Sequence, residues 1–306
     1  QPSVPRNARG ANSVSQGSFM RRLILVLILS CAAPSWARNT SFSQDVNQSI
    51  DDGINWLIGQ NAFAANGAVV GHAAGLVALA LLERPKSADQ NALPRGYRDA
   101  TAAHKRHLDN IMGYIIGQSN ESFYAYRDGS ALMALTLYLR TGGPRQADAR
   151  NALNRIFDRI VTNQSGGGYW CYTNGACNDS STTQLVMAGL AAARTIYSDP
   201  NTGDGNRLNT LNNRTGRTRN AYRNNGKNGS LGNGEKGHGY RTNYDPSYQQ
   251  TASGLWCQII GGADIRDNSV QSYFRWLYHR YNYSTIAGAP NRWNQAYYYY
   301  LWSSSK

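Results

Sequence analysis

Three side chains of this 306-residue chain have the type and setting for acid–base chemistry: His72, Asp128 and Asp179. Each stands at the head of a stretch rich in Ala, Leu, Gly and Ser and poor in charge. An imidazole there can serve as a general base, and a carboxylate as acid or base. Each also has a plainer account. Asp and Ser are preferred helix N-caps, which explains Asp128 and Asp179 by type alone. No nucleophile or orienting carboxylate can be paired with His72 from sequence, so a hydrogen-bonded structural role explains it more simply. A second group of polar and aromatic residues opens or lies within two later apolar stretches: Tyr248, Gln249, Trp293, Gln295 and Tyr298. These are the candidates for holding a ligand. The Tyr297–Tyr300 run offers rings that could stack on a sugar or an isoprenoid, and core packing is the plainer account of it.

Other chemistries find little support. Zinc needs deprotonated ligands at tetrahedral spacing, and the five histidines (72, 104, 107, 238 and 279) are scattered. His104 and His107 have helical spacing but enclose two cations, Lys105 and Arg106. No metal site and no cofactor is expected. The glycine-rich Gly226–Gly239 stretch follows no strand pattern, so a nucleotide-binding reading is weak. Cys171 and Cys177 can close the Tyr172–Ala176 turn as a disulfide in an oxidising compartment. Cys257, within Gly254-Leu255-Trp256-Cys257, reads as a small buried hydrophobe.

The net charge is +13, which points to acidic partners or surfaces and says nothing of fold. Much of it is concentrated. Between Asn206 and Arg241, eight Lys and Arg face Glu235 alone. Within the stretch Arg214, Arg217, Arg219 and Arg223 are the candidate anion-binding residues, for an anionic polymer or an envelope glycan. Such charge runs are ordinarily solvated. With few apolar residues, most of 199–244 reads as a basic Asn/Gly/Arg-rich insertion, largely loop. No specific nucleic-acid signature is present.

The N-terminal segment reads as a leader. Residues 1–19 precede a plausible start at Met20 and read as upstream sequence. Met20-Arg21-Arg22 makes a basic region, and Leu23–Leu29 an apolar one too short to span a bilayer. Ser35-Trp36-Ala37 supplies the small residues of a cleavage site, so residues 20–37 are expected to be a signal peptide cut after Ala37. Cys31, after Leu29-Ser30, offers a lipoprotein alternative with a poorly fitting Leu29. The exported chain, secreted or periplasmic, would lose four arginines and no acids, leaving +9. No other segment is apolar enough to cross a membrane.

The elements that must position these residues repeat. Ile54-Asn55-Trp56-Leu57-Ile58-Gly59-Gln60 returns as Met112-Gly113-Tyr114-Ile115-Ile116-Gly117-Gln118, and more loosely as Asp158–Gln164. A period near fifty residues implies an array of supersecondary units. Five helix pairs are predicted: 44–59 with 72–83, 100–117 with 128–140, 144–163 with 180–197, 207–223 with 247–260, and 267–281 with 292–303. In each pair the first helix is amphipathic and the second apolar, which suits two layers with polar helices outside. Small residues such as Ala188, Gly189 and Ala191 permit close approach of the inner helices. The expected fold is an all-α, single-domain array of about five hairpins over 38–306, curving into an α/α toroid or remaining an open array.

Gln164-Ser165-Gly166-Gly167-Gly168-Tyr169-Trp170 has the form Q-x-x-x-G-x-W. It resembles the repeat signature of squalene and hopene cyclases, shared in looser form with prenyltransferase β-subunits. Asn178–Gln184, and Lys236-Gly237-His238-Gly239-Tyr240 followed by Thr251–Trp256, are similar again. The resemblance implies an α/α toroid in which such motifs are structural: Gln bonding backbone at a helix end, Gly making the turn and Trp packing the hairpin. The inner N-termini would then gather at one mouth of a central cavity, bringing the candidate residues together. A closed six-hairpin ring would need one pair more than the five seen. The cyclases' acidic D-x-D-D segment is missing, and Cys177-Asn178-Asp179 reverses the order of the prenyltransferase zinc ligands. The reading is therefore an exported binding or scaffold module at the cell envelope. The alternatives are an enzyme using the cavity on an apolar small molecule, an isoprenoid or a glycan, and a self-assembling homo-oligomer.

Overall fold

The computed structural model describes residues 39–281 together with Tyr299, Trp302 and Ser303. The leader, the Arg292–Ser303 helix apart from those three positions, and the ligand candidates Trp293, Gln295 and Tyr298 lie outside the described residues. The fold is all-α. In chain order the helices are α1 (Ser41–Gly59), α2 (Ala74–Leu82, led by a short 3-10 turn at Gly71–Ala73), α3 (Ala102–Gln118), α4 (Ala125–Arg140) and α5 (Gln146–Thr162). They continue with α6 (Ser180–Tyr197), α7 (Gly205–Asn225), α8 (Tyr248–Ile260) and α9 (Asn268–Tyr278). Between α7 and α8 a two-residue antiparallel ladder pairs β1 (Lys227–Asn228) with β2 (Lys236–Gly237). Tyr299, Trp302 and Ser303 are helical.

Helix starts follow capping chemistry. Thr40 forms a reciprocal capping box with Ser43 at α1. Thr101 accepts from the His104 amide at α3, and Asp204 from the Arg207 amide at α7. Each satisfies backbone donors that a helix start leaves open.

The apolar helices α2, α4, α6 and α8 pack on one another in chain order, and the more polar α3, α5 and α7 lie against them. Small residues set the spacing of the apolar layer. A Cβ at Gly129 on α4 would sit 2.5 Å from the Leu185 carbonyl oxygen, and one at Gly189 on α6 equally close to the Gly129 oxygen. Only glycine allows the two backbones to meet this closely. The main core beneath includes Leu132, Leu135, Ile156, Phe157, Trp170 and Leu190, all buried.

The Q-x-x-x-G-x-W segment is a structural clasp. Gly168 turns the chain at φ +87°. The Gln164 amide donates to Gly168 O, to Arg214 O (3.0 Å) and to Thr218 Oγ1 (3.0 Å). It thus bridges to the middle of α7 and not to a helix end. The helix-end bond is made by the tryptophan: the buried Trp170 indole donates to the Ile160 carbonyl in the last turn of α5 (2.9 Å).

Two expectations are corrected. Residues 205–225 form the regular helix α7, matching the helix predicted over 207–223, so the reading of 199–244 as largely loop is too broad. Leu211, Thr215, Thr218, Ala221 and Tyr222 fall on its buried side, so a sparse apolar stripe at helical spacing outweighs the polar average. The loop expectation holds for 226–247, outside the short ladder. In addition, α4 begins at Ala125, three residues before the predicted start, so Asp128 is not its N-cap.

Candidate functional site

Asp179 is the N-cap of α6 and only 1% exposed. One carboxylate oxygen is fully engaged: Oδ1 accepts from the Ser181 amide (2.9 Å), the Ser181 hydroxyl (2.7 Å) and the Thr182 amide (3.1 Å). The other, Oδ2, is buried and makes no hydrogen bond of ordinary geometry among the described residues, although the Tyr240 phenol interacts with the carboxylate. A buried acceptor without a well-formed hydrogen bond is costly, and a bound donor can offset that cost.

Tyrosines wall this carboxylate. The Tyr126 hydroxyl donates to Ser181 Oγ (2.9 Å), and its ring stacks on Tyr172 with centroids 5.4 Å apart. The Tyr172 and Tyr240 hydroxyls meet at 3.0 Å. Tyr124 lies 6.5 Å from Tyr126 and 6.4 Å from Tyr172, and the His72 ring packs on Tyr124 at 4.2 Å. Tyr244 and Arg241 extend the array beyond Tyr240. Burial, then the Asp179 carboxylate and the Tyr172 hydroxyl, push the Tyr240 phenol far above its ordinary value. Burial above all does the same for Tyr126. Both therefore remain protonated donors at neutral pH.

The loop carrying Tyr172 is held at both ends. Cys171 and Cys177 form a disulfide with Cα atoms 5.5 Å apart. The Tyr172 carbonyl accepts from the Ala125 amide at the start of α4 (2.9 Å). Cys257 is free and buried, and burial pushes its thiol well up, so it behaves as a hydrophobe.

Asp128 has a different setting. It is fully buried, and Arg159 grips both oxygens at 2.8 Å. Arg127 Nε adds a bond of 2.9 Å to Oδ1, and the Tyr124 amide reaches Oδ2 at 3.3 Å. Every lone pair facing the protein is taken up in holding α4 to α5. The carboxylate is a structural anchor with no open side.

His238 was not among the sequence candidates, yet it braces the site from below. It is 1% exposed. Its Nδ1 lies 2.8 Å from Gly239 O and 3.0 Å from Ser180 Oγ, and its Nε2 3.1 Å from the Tyr169 hydroxyl. Nδ1–H donating to the carbonyl leaves Nε2 to accept from Tyr169. Burial lowers its pKa to about 4, so the ring is neutral. The signal was in the flanks. A Cβ at Gly237 would meet Trp276 at 2.8 Å, and one at Gly239 would meet Tyr244 O at 2.5 Å.

The remaining candidates do not join this site. Tyr248 lines a separate cavity of about 560 Å³ with Leu255, Trp256 and Phe274. Gln249 is buried on α8 with Oε1 unpartnered among the described residues. The four arginines of α7 do not form one patch, because their spacing turns Arg214 and Arg217 to one side of the helix and Arg219 and Arg223 to the other. Arg217 donates to Gly166 O (3.2 Å), and Arg219 to Asn220 (3.2 Å). A cavity of about 660 Å³ lies along the later turns of α2, α4 and α6, lined by Leu79, Met133, Leu137, Ala188, Ala192 and Trp256. None of the acid–base candidates lines it.

Among the described residues no cluster of His, Cys, Asp and Glu is placed to hold a metal ion, and no helix is long and apolar enough to cross a membrane. No protein-family model, curated protein or solved structure matches the chain.

Proposed function

We propose that this protein is an exported binding module of the cell envelope, a divergent relative of the cyclase and prenyltransferase repeat proteins, and that it binds a glycan at the tyrosine-lined mouth around Asp179. The observation that carries the reading is the buried Asp179 Oδ2, without a hydrogen bond of ordinary geometry, beside the Tyr126 and Tyr240 phenols and the Tyr172 hydroxyl that meets Tyr240. A sugar presents apolar C–H faces to aromatic rings and hydroxyl donors to a carboxylate. The disulfide at the Tyr172 loop fits an oxidising compartment.

An enzymatic reading needs more than one free carboxylate. Glycoside hydrolysis ordinarily uses an acid and a second carboxylate about 5–10 Å apart. Asp128, the other sequence candidate, is committed to Arg127 and Arg159. Binding without turnover is therefore the function the geometry supports best.

The test is titration of the protein with soluble chito-, cello- and malto-oligosaccharides, read by tyrosine fluorescence and by amide NMR shifts at Ser181 and Thr182. Saturable binding that Asp179→Asn weakens at least tenfold, with no sugar cleaved, supports the reading. Cleavage of the sugar would replace it with the enzyme. Binding indifferent to Asp179→Asn would remove the site.

A further inference from the structure

We propose that the groove between the end of α7, strand β2 and the start of α9 binds a phosphate group. It is a second site, independent of the tyrosine-lined mouth.

The groove is about 640 Å³, and Arg223, Lys236 and Arg275 line it together with Asn268 and Ser269. Three separate elements, α7, β2 and α9, thus bring three cations to one concavity. Arg223 and Lys236 have no hydrogen bond or ion pair among the described residues, whereas Arg217 and Arg219 of α7 are tied to Gly166 O and to Asn220. Arg275 spends one nitrogen on Gly234 O (3.2 Å), while its Nε is buried without a partner. One acid faces the groove. Asp267 precedes α9 but does not cap it; its Oδ2 accepts instead from the Asp264 amide (3.2 Å). The first amides of α9 are therefore left open beside three cations and a single carboxylate.

The chemistry matches a tetrahedral oxyanion. A guanidinium presents paired donors to phosphate oxygens, and the ammonium of Lys236 adds a point charge. Open amides at a helix start supply further donors, and the aligned peptide dipoles favour the negative charge. A carboxylate ligand would fill fewer of these donors, because it has one oxygen fewer and lies in a plane.

The experiment is an NMR titration of the full chain with inorganic phosphate, with chloride at matched ionic strength as the control. Saturable shifts of the Asn268 and Ser269 amides are expected with phosphate and not with chloride. Arg223→Gln with Lys236→Gln should weaken binding at least tenfold and leave the unfolding midpoint unchanged. The exposed Arg223→Gln alone, which breaks no bond in the fold, should weaken it severalfold. A parallel titration with polyphosphate separates sources: equal affinity per phosphate assigns the site to the free ion, and tighter binding to a phosphorylated polymer. Equal shifts in chloride, or phosphate affinity unchanged in both variants, would overturn the proposal.

Discussion

The starts of α4 and α6 are neighbours in the apolar layer, and each carries a buried aspartate, yet the two carboxylates have opposite lives. At α4, Asp128 is enclosed by Arg127 and Arg159 and by the Tyr124 amide. At α6, Asp179 spends one oxygen on capping and keeps the other buried beside tyrosines, without a hydrogen bond of ordinary geometry. Residue type and helix position are nearly the same, so neither separates anchor from site. What separates them is the number of donors that the neighbouring elements supply. The start of α4 faces α5, which brings an arginine. The start of α6 faces the Tyr172 loop and the 226–247 segment, which bring phenols that already serve one another.

The largest expected effect tests the anchor. Asp128→Ala leaves the buried Arg127 and the partly buried Arg159 without their counter-charge, and removing one partner of a buried ion pair costs about 3–5 kcal/mol. Urea unfolding should show that loss. A change below about 1 kcal/mol, the value of an exposed pair, would erase the contrast with Asp179.

The brace below α6 comes next. His238 is held neutral, with its folded pKa lowered from 6.5 to about 4. Between these values the unfolded chain binds more protons than the folded one, so stability falls as pH drops from 6.5 towards 4. The full shift corresponds to about 3 kcal/mol. His238→Gln should flatten that part of the stability–pH curve. A variant with the same slope as the parent would show that His238 is not the group that titrates.

Asp179→Asn should separate cap from site. Asn caps a helix about as well as Asp, so unfolding should move by less than about 1 kcal/mol. Losing a charge-assisted bond to a ligand should cost about 1.5–3 kcal/mol of binding, or roughly tenfold to a hundredfold. A large stability loss with unchanged affinity would make Asp179 a second anchor. The smallest effect concerns the rings: Tyr172→Ala should weaken binding about twofold to tenfold, the worth of one aromatic contact. Reducing the Cys171–Cys177 disulfide, which frees the same loop, should act in the same direction. Affinity unchanged by both would remove Tyr172 from the site.

Much of the helical framework was legible because it rests on local signals. The start of α6 at Ser180 follows from its Asp-Ser-Ser-Thr cap, and the apolar character of α2, α4, α6 and α8 from their Ala, Leu and Gly content. The helix α7 is predicted over 207–223, but the stretch around it reads as largely loop because its buried stripe, Leu211, Thr215, Thr218 and Tyr222, is thin among Asn and Arg. Asp179 and the Cys171–Cys177 pair could be nominated from residue type and spacing. The tyrosine wall could not, because Tyr126, Tyr172 and Tyr240 come from three segments that only tertiary packing brings together. The same holds for Arg159, whose grip on Asp128 spans two helices, and for His238, whose partners lie in α6 and in the turn before it.

The central claim is that Asp179 serves a ligand and Asp128 serves the fold. It is tested most directly by measuring oligosaccharide affinity and urea unfolding on the same Asp179→Asn protein. The account predicts a near-parental unfolding midpoint with affinity down at least tenfold. Parental affinity, or lost affinity only in step with lost folding, would contradict it.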